Sequence, residues 1–422
     1  MEVSRTDLIL RHGVRCGTVT APPSKSHIQR LLICAALGSQ ETVIRCGWLS
    51  RDVEAVIACL RALGAGIERG ENGLLHVIPV STVPDVVCDM PCGESGAALR
   101  FLLPVVGALG VRAVFHREGR LSERPLKPLT ELLKAQGLRI CEYENDVYCE
   151  GKLHAGKYLI DSSVSSQFAS GLLFALSLLD GSSELSLVGK VVSATYIGMT
   201  EKVLQCAGVG MARSGNTYII CGCRRFTLPA FLTAEGDWSG AAPFLCIGAL
   251  SDGGVTVRGL SSSGLQGDCC VLDVLEDAGA EVLSCDDSVT VRSGKLKGFT
   301  FDAGNAPDLV PALAALGACV DGTTRIIDAA RLRVKESNRL DATAAMLNAL
   351  GADVRIEPDG LTINGRASLC GGSVCSALDH RIAMAASVAA CFCSEDVKLI
   401  GAECIDKSYP AFWEDLGCLF ML

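Results

Sequence analysis

Long apolar runs with helical spacing alternate along this chain with short stretches in which apolar and polar residues take turns. One pattern recurs six times: a helical run ends in a small residue or Leu, a Gly follows, and most copies then continue as a strand-like stretch. The six copies are CLRALGAGIE, LLKAQGLRI, VLQCAGVGM, VLEDAGAEV, MLNALGADV and FWEDLGCLF. Their glycines are Gly64, Gly137, Gly208, Gly279, Gly351 and Gly417, at successive spacings of 73, 71, 71, 72 and 66 residues. A glycine in the left-handed conformation can end a helix and turn the chain into a strand. The pattern therefore predicts six copies of one α+β unit.

Six such units in 422 residues exceed one ordinary hydrophobic core, so we expect two domains of three units each. Each unit is too long for a solenoid repeat. The segment TAEGDWSG opens the second half, and the first strand, in LILRHGVRCGTVT, is expected to pair with that half. The predicted domains are residues 20–235, and residues 1–19 together with residues 236–422.

Composition narrows the class of protein. Apolar residues make up 49% of the chain and charged residues 20%, which excludes a disordered chain, and the net charge of −9 argues against nonspecific nucleic-acid binding. The N-terminus lacks the form of a signal peptide, and no apolar run reaches the length of about 20 residues that a membrane span needs. We expect a soluble, cytoplasmic protein. Its 22 scattered cysteines lack zinc spacing and are expected to be reduced core thiols, for example Cys34, Cys59, Cys206 and Cys246.

Cations stand beside the predicted starts of apolar helices, where the helix macrodipole favours acids instead. The segment PSKSHIQR carries Lys25 and Arg30, and further cations of this kind are Arg100, Arg124, Arg331, Arg333, Lys335, Arg339, Arg381 and Lys407. Each one taken alone is explained by solvation or by pairing with an acid. Their recurrence in repeat-related units predicts that several converge with helix N-termini to bind two anionic groups. The chain has neither a GxxxxGK[ST] loop nor a strand-linked GxGxxG, so nucleotide binding is disfavoured.

Hydroxyl and carboxylate groups accompany these cations. In PSKSHIQR we expect Ser26 to cap the helix and His27 to face solvent or a cleft wall. Another helix is preceded by Ser162, Ser163, Ser165, Ser166 and Gln167, and the next one by Ser193 and Tyr196. One serine suffices as an N-cap, so the excess could hold a phosphate or a polyol. Asp308, Glu336 and Asp237 are candidates for proton transfer. Capping remains an alternative for Asp308 and is the favoured role of Asp237, whereas neighbouring cations should keep Glu336 ionised.

These segments together resemble the 5-enolpyruvylshikimate-3-phosphate synthase family of enolpyruvyl transferases. The resemblance spans residues 23 to 410, in the family's order, through SKSHIQR, GESGAALR, ERPLKPL, SVSSQF, EGDWSGAA, APDLVPALAALG, RLRVKESNRL, LDHRIAMA and DKSYP. It implies an α/β fold of two similar domains, each built of three βαβαββ units in an inverse α/β barrel-like arrangement, with the active site in the interdomain cleft. The implied reaction joins phosphoenolpyruvate to the 5-hydroxyl of shikimate 3-phosphate and releases phosphate. Neither a metal nor an organic cofactor is implied, and the implied protein is a monomer that acts on small molecules without a nucleic-acid or membrane partner.

The resemblance also assigns site residues, motif by motif. The implied catalytic residues are Lys25, Asp308, Glu336 and Lys407. Shikimate 3-phosphate would contact Lys25, Ser26, Arg30, Ser165, Ser166, Gln167, Ser193, Tyr196, Asp308 and Lys335. Phosphoenolpyruvate would contact Lys25, Gly96, Arg124, Gln167, Arg339, Arg381 and Lys407. In this assignment Asp308 takes the proton from the 5-hydroxyl, and Glu336 with Lys407 manages protonation of the methylene carbon.

The chain departs from the family's common pattern at two places. It has Glu94-Ser95-Gly96-Ala97 where Asn-Ala-Gly-Thr is common, and Arg331 where Asn is common. Retention of Gly96 favours sensitivity to glyphosate, an inhibitor of the family. Two alternatives stay open: an enolpyruvyl transferase acting on UDP-N-acetylglucosamine, and a catalytically inactive protein of the same fold that binds phosphate ligands. The loop after Arg120, SERP, holds no cysteine, which disfavours the first alternative, and the carboxylates disfavour the second.

Overall fold

The computed structural model describes residues 7–261 and 264–421. The chain forms two compact units: a first unit, Pro23–Ala234, and a second unit, Met1–Pro22 with Glu235–Leu422. The predicted domain limits, between residues 19 and 20 and between residues 235 and 236, stay a prediction. Residues 1–6, which the predicted second domain includes, lie outside the described residues.

Helices and short strands alternate along the described chain. The helices are α1 (Lys25–Ala36), α2 (Arg51–Ala62), α3 (Gly96–Leu109), α4 (Leu129–Ala135), α5 (Ser166–Ser177), α6 (Ala194–Cys206), α7 (Trp238–Ala249), α8 (Val271–Asp277), α9 (Val310–Ala318), α10 (Arg339–Ala349), α11 (His380–Ala390) and α12 (Phe412–Gly417). The strands are β1 (Asp7–Leu10), β2 (Arg15–Thr20), β3 (Thr42–Arg45), β4 (Gly66–Arg69), β5 (Leu74–Ile78), β6 (Cys88–Gly93), β7 (Ala113–Arg117), β8 (Arg139–Tyr143), β9 (Asp146–Glu150), β10 (Lys157–Asp161), β11 (Ser182–Val188), β12 (Met211–Ser214), β13 (Thr217–Cys221), β14 (Phe231–Thr233), β15 (Val255–Arg258), β16 (Glu281–Cys285), β17 (Ser288–Arg292), β18 (Thr300–Asp302), β19 (Thr323–Ile327), β20 (Asp353–Glu357), β21 (Gly360–Asn364), β22 (Gly372–Cys375), β23 (Val397–Ile400) and β24 (Phe420–Met421).

Each unit carries three small sheets of one design, in which a parallel pair of strands is extended by antiparallel strands. The first unit has the strand orders β14-β3-β5-β4, β6-β7-β9-β8 and β10-β11-β13-β12. The second unit has β16-β17-β15-β2-β24, β18-β19-β21-β20 and β1-β23-β22. Strands β1 and β2 pair with β23 and β15, so the N-terminal strands join the second half of the chain. The six-fold α/β repeat predicted from the sequence is confirmed.

The repeat glycines explain how each helix passes into a strand. Five of them follow α2, α4, α6, α8 and α10 in the left-handed conformation, with φ between 81° and 100°; they are Gly64, Gly137, Gly208, Gly279 and Gly351. Only glycine adopts this conformation at no steric cost. The sixth position differs, because Gly417 is the last residue of α12 and does not have a positive φ. The predicted left-handed turn is therefore wrong for Gly417, where the chain adds an edge strand, β24, and no hairpin follows.

The core of each unit is built around the first helix of every repeat: α1, α3 and α5 in the first unit, α7, α9 and α11 in the second. Nearly all residues of these helices are buried, and α9 is apolar around its whole circumference. A helix of this kind is stable only inside a protein core. The N-terminal turns of these buried helices carry most of the predicted site residues.

The cysteines are free thiols at all 22 positions. Cys34, Cys59 and Cys246 are buried as expected, and burial raises the pKa of the Cys246 thiol to about 12. The prediction of a buried thiol is wrong for Cys206, which is exposed.

Among residues 7–261 and 264–421, no helix has the length and apolar character needed to cross a bilayer.

Candidate active site

The segment PSKSHIQR forms the first turns of α1. Its N-cap is Ser24, whose buried hydroxyl accepts a hydrogen bond from the His27 amide, and the first turn holds no acid. The expectation that Ser26 caps this helix is wrong, because Ser24 precedes it in the extended conformation that a cap requires. The Ser26 side chain is thus not needed for capping. His27, expected to face solvent or a cleft wall, is buried.

Lys25 is joined to the start of α3 through α2. Its Nζ lies 2.9 Å from Oδ2 of Asp52, in the first turn of α2. The Asp52 carbonyl accepts hydrogen bonds from Nε2 of Gln29 at 3.0 Å and from Oγ of Ser95 at 3.4 Å. Ser95 is the N-cap of α3 and directly precedes Gly96. These contacts place Lys25 and Gly96 in one neighbourhood, formed by the N-terminal turns of three helices.

Gly96 lies directly against Arg124. A Cβ atom built on Gly96 would lie 3.0 Å from Nη1 of Arg124 and 3.2 Å from its Cζ, closer than ordinary van der Waals contact. The guanidinium therefore packs on the glycine backbone, and only a residue without a side chain lets it do so undisturbed. Glu94 is exposed and approaches Gly119, on the neighbouring 3₁₀ turn Gly119–Ser122. These contacts support the predicted pairing of Gly96 and Arg124 in one subsite.

Arg30 joins α1 to α6. Its Nε donates to Oγ1 of Thr200 at 2.7 Å, and its Nη atoms donate to the carbonyls of Ser26 at 2.8 Å and Tyr196 at 3.0 Å. The guanidinium also lies over the ring of Phe101, 5.0 Å from the centroid. Among the described residues no carboxylate forms an ion pair with it, and burial lowers its pKa to about 10. A buried cation held only by neutral groups favours binding of an anion.

The hydroxyl cluster surrounds the start of α5. Ser165 is the N-cap, with its Oγ accepting from the Gln167 amide at 3.2 Å, and Ser166 is the first helical residue. The side-chain oxygen of Gln167 accepts from Nη1 of Arg100 at 2.9 Å. Arg100 also donates to the Pro125 carbonyl, next to Arg124 in the chain. This hydrogen bond orients the Gln167 side chain, with its oxygen toward Arg100.

Ser193 and Tyr196 stand at the start of α6. Ser193 occupies the N-cap position with φ 47° and ψ 46°, a left-handed conformation that is uncommon for residues other than glycine. It makes no side-chain capping bond, although its carbonyl accepts from the Tyr196 amide at 3.0 Å. Strained backbone of this kind is characteristic of ligand sites. The first unit thus links Lys25 to the start of α3, Arg30 to the carbonyls of Ser26 and Tyr196, and Gln167 through Arg100 to the segment that carries Arg124.

The second unit gathers carboxylates around Arg339, the first residue of α10. Its Nη1 donates to Oδ1 of Asp308 at 2.7 Å, its Nη2 to Oε2 of Glu336 at 2.8 Å, and its Nε to Oδ2 of Asp379 at 2.8 Å. Arg339 and Asp379 are fully buried. Asp379 is the N-cap of α11 and also accepts from the Arg381 amide and from the Ser337 hydroxyl. Arg339 therefore lies at the centre of a carboxylate cluster.

The charge of Asp308 is set by these neighbours. Asp308 lies in the 3₁₀ turn Pro307–Leu309 before α9, and Lys335 Nζ approaches its Oδ1 to 3.5 Å. Burial alone would raise the pKa of this carboxyl, but Lys335, Arg339 and Arg381 hold it well below its ordinary value. Burial lowers the pKa of Lys335 to about 8, against the opposing attraction of Asp308. Asp308 is thus an ionised carboxylate beside a lysine whose pKa is below its ordinary value.

Arg381, the second residue of α11, is held differently from Arg339. Its Nη1 donates to the Ser239 carbonyl and its Nη2 to the Ser239 hydroxyl at 2.6 Å. In the described chain no carboxylate pairs with its guanidinium, and its buried Nε lacks a hydrogen-bond partner. Asp237, favoured from the sequence as an N-cap, caps α7 and accepts from the Ser239 hydroxyl and the Gly240 amide.

Lys407 ends the 3₁₀ turn Ala402–Lys407, and its side chain is buried. This turn packs against α11, the helix that carries Arg381. The turn is anchored by Trp413, whose Nε1 donates to the Ala402 carbonyl at 3.1 Å. The structure thus places Lys407 beside the helix of Arg381, and its contact with substrate stays a prediction.

Arg331, for which the sequence assigned no role, donates from Nη2 to the carbonyls of Ala303 and Gly304 at 3.1 and 2.7 Å. It thus holds the loop that leads to Asp308 in place.

Over the residues described, no group of three or more His, Cys, Asp or Glu side chains could hold a metal ion. The expectation that the protein uses no metal and no organic cofactor stays a prediction.

Two site carboxylates were missed in the sequence-based assignment. Asp52 and Asp379 both lie in the first turn or cap of a helix, where an acid is ordinary because of the macrodipole. The signal available was the cation each one faces: Lys25 for Asp52, and Arg339 for Asp379. That pairing connects residues 27 and 40 positions apart, which a single sequence does not reveal.

Comparisons with known proteins concern the chain as a whole. The family model for EPSP synthase (3-phosphoshikimate 1-carboxyvinyltransferase) matches residues 14–416. The chain is 40% identical over 409 residues to the 3-phosphoshikimate 1-carboxyvinyltransferase of Clostridium kluyveri, covering 96% of this chain and 95% of that protein. It is 37% identical over 406 residues to the protein of the same name from Clostridium acetobutylicum, covering 95% and 94%.

Solved structures share the fold. An EPSP synthase from Acinetobacter baumannii superposes with a TM-score of 0.82 at 24% identity, covering 97% of each chain, and a second structure of that enzyme gives a TM-score of 0.79 at 23% identity with the same coverage. At this identity the likeness concerns the fold alone. The family model and the relatives settle the affiliation: this chain belongs to the EPSP synthase family, the 3-phosphoshikimate 1-carboxyvinyltransferases.

Proposed function

We propose that this protein transfers the enolpyruvyl group of phosphoenolpyruvate to the 5-hydroxyl of shikimate 3-phosphate and releases inorganic phosphate. The reaction belongs to the shikimate pathway of aromatic amino-acid biosynthesis. Membership of the family supports this activity. The single structural observation that carries it is the combination of buried cations held by neutral groups, Arg30 and Arg381, with an ionised carboxylate, Asp308.

The first set of residues, those predicted to contact shikimate 3-phosphate, suits the chemistry of that substrate. Its phosphate would meet Lys25, Ser26 and the N-terminal turns of α1 and α5, where backbone amides and the helix dipole favour an anion. The remaining predicted contacts, Ser165, Ser166, Gln167, Ser193 and Tyr196, present hydroxyl and amide groups that match a polyol ring. Arg30 would supply a buried positive charge close to Tyr196. Binding of the anion would offset the cost of burying that charge.

The second set suits phosphoenolpyruvate and the proton transfers. Arg381 has donors available for the carboxylate, and Lys407 and Arg124 are proposed to hold the phosphate group together with Gly96. Arg339 is engaged by three carboxylates, so we assign it chiefly to orient Asp308 and Glu336, with its predicted contact to phosphoenolpyruvate secondary. This assignment explains why Arg339 forms ion pairs with carboxylates and Arg381 forms none among the described residues.

The chemistry follows from these positions. The ionised Asp308 accepts the proton of the 5-hydroxyl, and the oxygen of that hydroxyl bonds to the enol carbon of phosphoenolpyruvate. At the same time the methylene carbon gains a proton from the pair Glu336 and Lys407. Phosphate then leaves with the proton that Asp308 took up, and the methyl group returns a proton to the pair Glu336 and Lys407, which restores the double bond. Fixed cations stabilise the developing charge of both anionic substrates. Asp308 is a weak base while Lys335, Arg339 and Arg381 face it alone, and an anion bound to Arg381 would raise its basicity.

Both sets of residues must act on one pair of substrates. We therefore keep the expectation of an active site in the interdomain cleft as a proposal. The expected monomer, the cytoplasmic location, the absence of nucleic-acid and membrane partners, and sensitivity to glyphosate are proposals of the same standing.

The test is direct observation of the product. Incubation of the protein with phosphoenolpyruvate and shikimate 3-phosphate should give new vinyl proton signals of an enol ether and an equal amount of inorganic phosphate in ¹H and ³¹P NMR. The variant Asp308→Asn should form product far more slowly. Phosphate without the enol ether would indicate a phosphatase, and neither signal would refute the proposal.

A further inference from the structure

Ser239 lies between two charged residues, Arg381 and Asp237, and all three are buried. Both oxygen atoms of Ser239 accept hydrogen bonds from Arg381: the carbonyl from Nη1 and the hydroxyl from Nη2 at 2.6 Å. We propose that Ser239, oriented by Asp237, is a positioning residue that directs the Arg381 guanidinium at the carboxylate of the enol substrate. This inference rests on the proposed function and deepens it.

The direction of each hydrogen bond is fixed by chemistry. A serine hydroxyl has one proton to donate, and an ionised carboxylate and a guanidinium act only as acceptor and donor. Oδ1 of Asp237 lies 2.6 Å from the Ser239 hydroxyl, so the hydroxyl proton points to Asp237. The hydroxyl oxygen can then only accept, and it accepts from Arg381. Asp237 thereby selects the orientation in which Ser239 holds the arginine.

The acceptor Asp237 is itself immobile. As the N-cap of α7 it accepts from the Gly240 amide at 2.8 Å, and its own amide donates to the Pro22 carbonyl at 2.7 Å. Each member of the chain Asp237–Ser239–Arg381 is thus fixed by backbone on at least one side. A side chain held in this way keeps its geometry when a substrate arrives, which lowers the cost of binding.

The neutral character of Ser239 is essential to this role. Arg339 shows the opposite arrangement, because three carboxylates cancel its charge. Ser239 offers Arg381 two oxygens without a negative charge, so the guanidinium keeps its attraction for an anion. Its Nε is buried and has no hydrogen-bond partner among the described residues. The structure thus separates an arginine used to organise carboxylates from one kept available for substrate.

The experiment compares four variants of the full chain in steady-state kinetics. Ser239→Ala removes the hydroxyl, Ser239→Thr keeps it, and Ser239→Asp adds a charge. Ser387→Ala is the matched control. Ser387 is a buried serine of the same helix as Arg381, and within the described part of the chain its hydroxyl bonds only the Met384 carbonyl, at 2.6 Å. Ser239→Ala should raise the KM for phosphoenolpyruvate about tenfold or more and leave the KM for shikimate 3-phosphate unchanged.

The conservative and charged variants complete the test. Ser239→Thr should restore most of the affinity, Ser239→Asp should bind phosphoenolpyruvate more weakly than Ser239→Ala, and Ser387→Ala should behave as the wild type. An unchanged KM for phosphoenolpyruvate in Ser239→Ala would overturn the inference, and so would an equal rise of both KM values. Tighter binding in Ser239→Asp than in Ser239→Ala would also overturn it.

A second measurement separates this inference from the proposed function. Phosphoenolpyruvate alone should raise the melting temperature of the wild type and of Ser387→Ala, and should raise that of Ser239→Ala less. This result would support the positioning role even if the protein failed to turn over with shikimate 3-phosphate. Equal shifts in all three proteins would contradict the role even if the transfer reaction is confirmed.

Discussion

Arg339 donates from Nη1 to Oδ1 of Asp308 at 2.7 Å, and through its other nitrogens it also holds Glu336 and Asp379. This guanidinium compensates three carboxylates, whereas the guanidinium of Arg381 is held by the two oxygens of Ser239. Two arginines to which the sequence assigned one role therefore differ in their electrostatic surroundings. The difference leads to opposite expectations for stability and for substrate binding.

Replacement of Arg339 by Gln should destabilise the fold strongly. It leaves buried carboxylates without their partner, which costs about 3–5 kcal/mol in the free energy of unfolding. Arg381→Gln removes a guanidinium that forms no ion pair among the described residues, so its free energy of unfolding should fall less than that of Arg339→Gln, while the KM for phosphoenolpyruvate rises. Urea denaturation of both variants checks this. Equal losses of stability would contradict the separation of roles.

Asp308→Asn should reduce kcat by about 10²–10⁴, because the amide cannot accept the proton of the 5-hydroxyl. The amide oxygen can still accept from Arg339, so the fold should be kept. Calorimetric titration should show that shikimate 3-phosphate binds within a few-fold of the wild-type affinity. If kcat stayed near the wild-type value, the assignment of Asp308 as the base would be wrong.

Gly96→Ala should weaken phosphoenolpyruvate binding about tenfold, because the new Cβ would press on the Arg124 guanidinium at 3.0 Å. The KM for shikimate 3-phosphate should stay close to that of the wild type. Gly156→Ala is the control, since a Cβ at Gly156 meets no atom within 4 Å and its φ is not positive. Unaltered kinetics with phosphoenolpyruvate in Gly96→Ala would show that Arg124 does not bind this substrate.

Affinity for shikimate 3-phosphate should fall as the pH rises through about 8, because burial lowers the pKa of Lys335 to about 8. Below that pH Lys335 carries its charge, and above it the attraction for the anionic ligand is lost. In Lys335→Arg the affinity should depend less on pH over this range, since arginine stays protonated. The measurement is the dissociation constant of shikimate 3-phosphate by calorimetry on both sides of pH 8. The same pH dependence in the wild type and in Lys335→Arg would show that Lys335 does not bind this ligand.

The lowered pKa of Lys335 affects the stability of the fold in the opposite direction from substrate binding. Unfolded Lys335 keeps its proton up to the ordinary lysine pKa of 10.5, whereas the folded protein loses it near 8. The unfolded state therefore binds more protons between these values, so this residue's contribution to the free energy of unfolding rises with pH in that window. Lys335→Arg should remove that rise.

The sequence predicted what depends on local spacing. The helical period placed Lys25, Arg30 and Arg381 at helix starts, and the recurrent glycines indicated six repeats, which the sheets confirm. Long-range pairing was not predictable: the partners of Lys25 and Arg381 are Asp52 and Ser239, 27 and 142 residues away. An acid or a serine in the first turn of a helix is explained equally well as a cap, so its second role is visible only in three dimensions.

Competition between neighbouring residues explains the local errors. Ser24 and Ser26 are both able to cap α1, and the extended backbone at Ser24 decides which of them does. Gly417 has the repeat spacing, but the chain after α12 adds an edge strand, so no left-handed turn forms there. Cys206 follows the apolar period of α6 and is nevertheless exposed, because it is the last residue of that helix.

Release of phosphate from phosphoenolpyruvate, measured with shikimate 3-phosphate and with UDP-N-acetylglucosamine as acceptors, tests the central claim most directly. We predict rapid release that requires shikimate 3-phosphate and none above background with UDP-N-acetylglucosamine. Release that requires UDP-N-acetylglucosamine would indicate the sister transferase activity. A protein that binds both substrates without release would be the inactive binding protein, and either of these results would contradict the account.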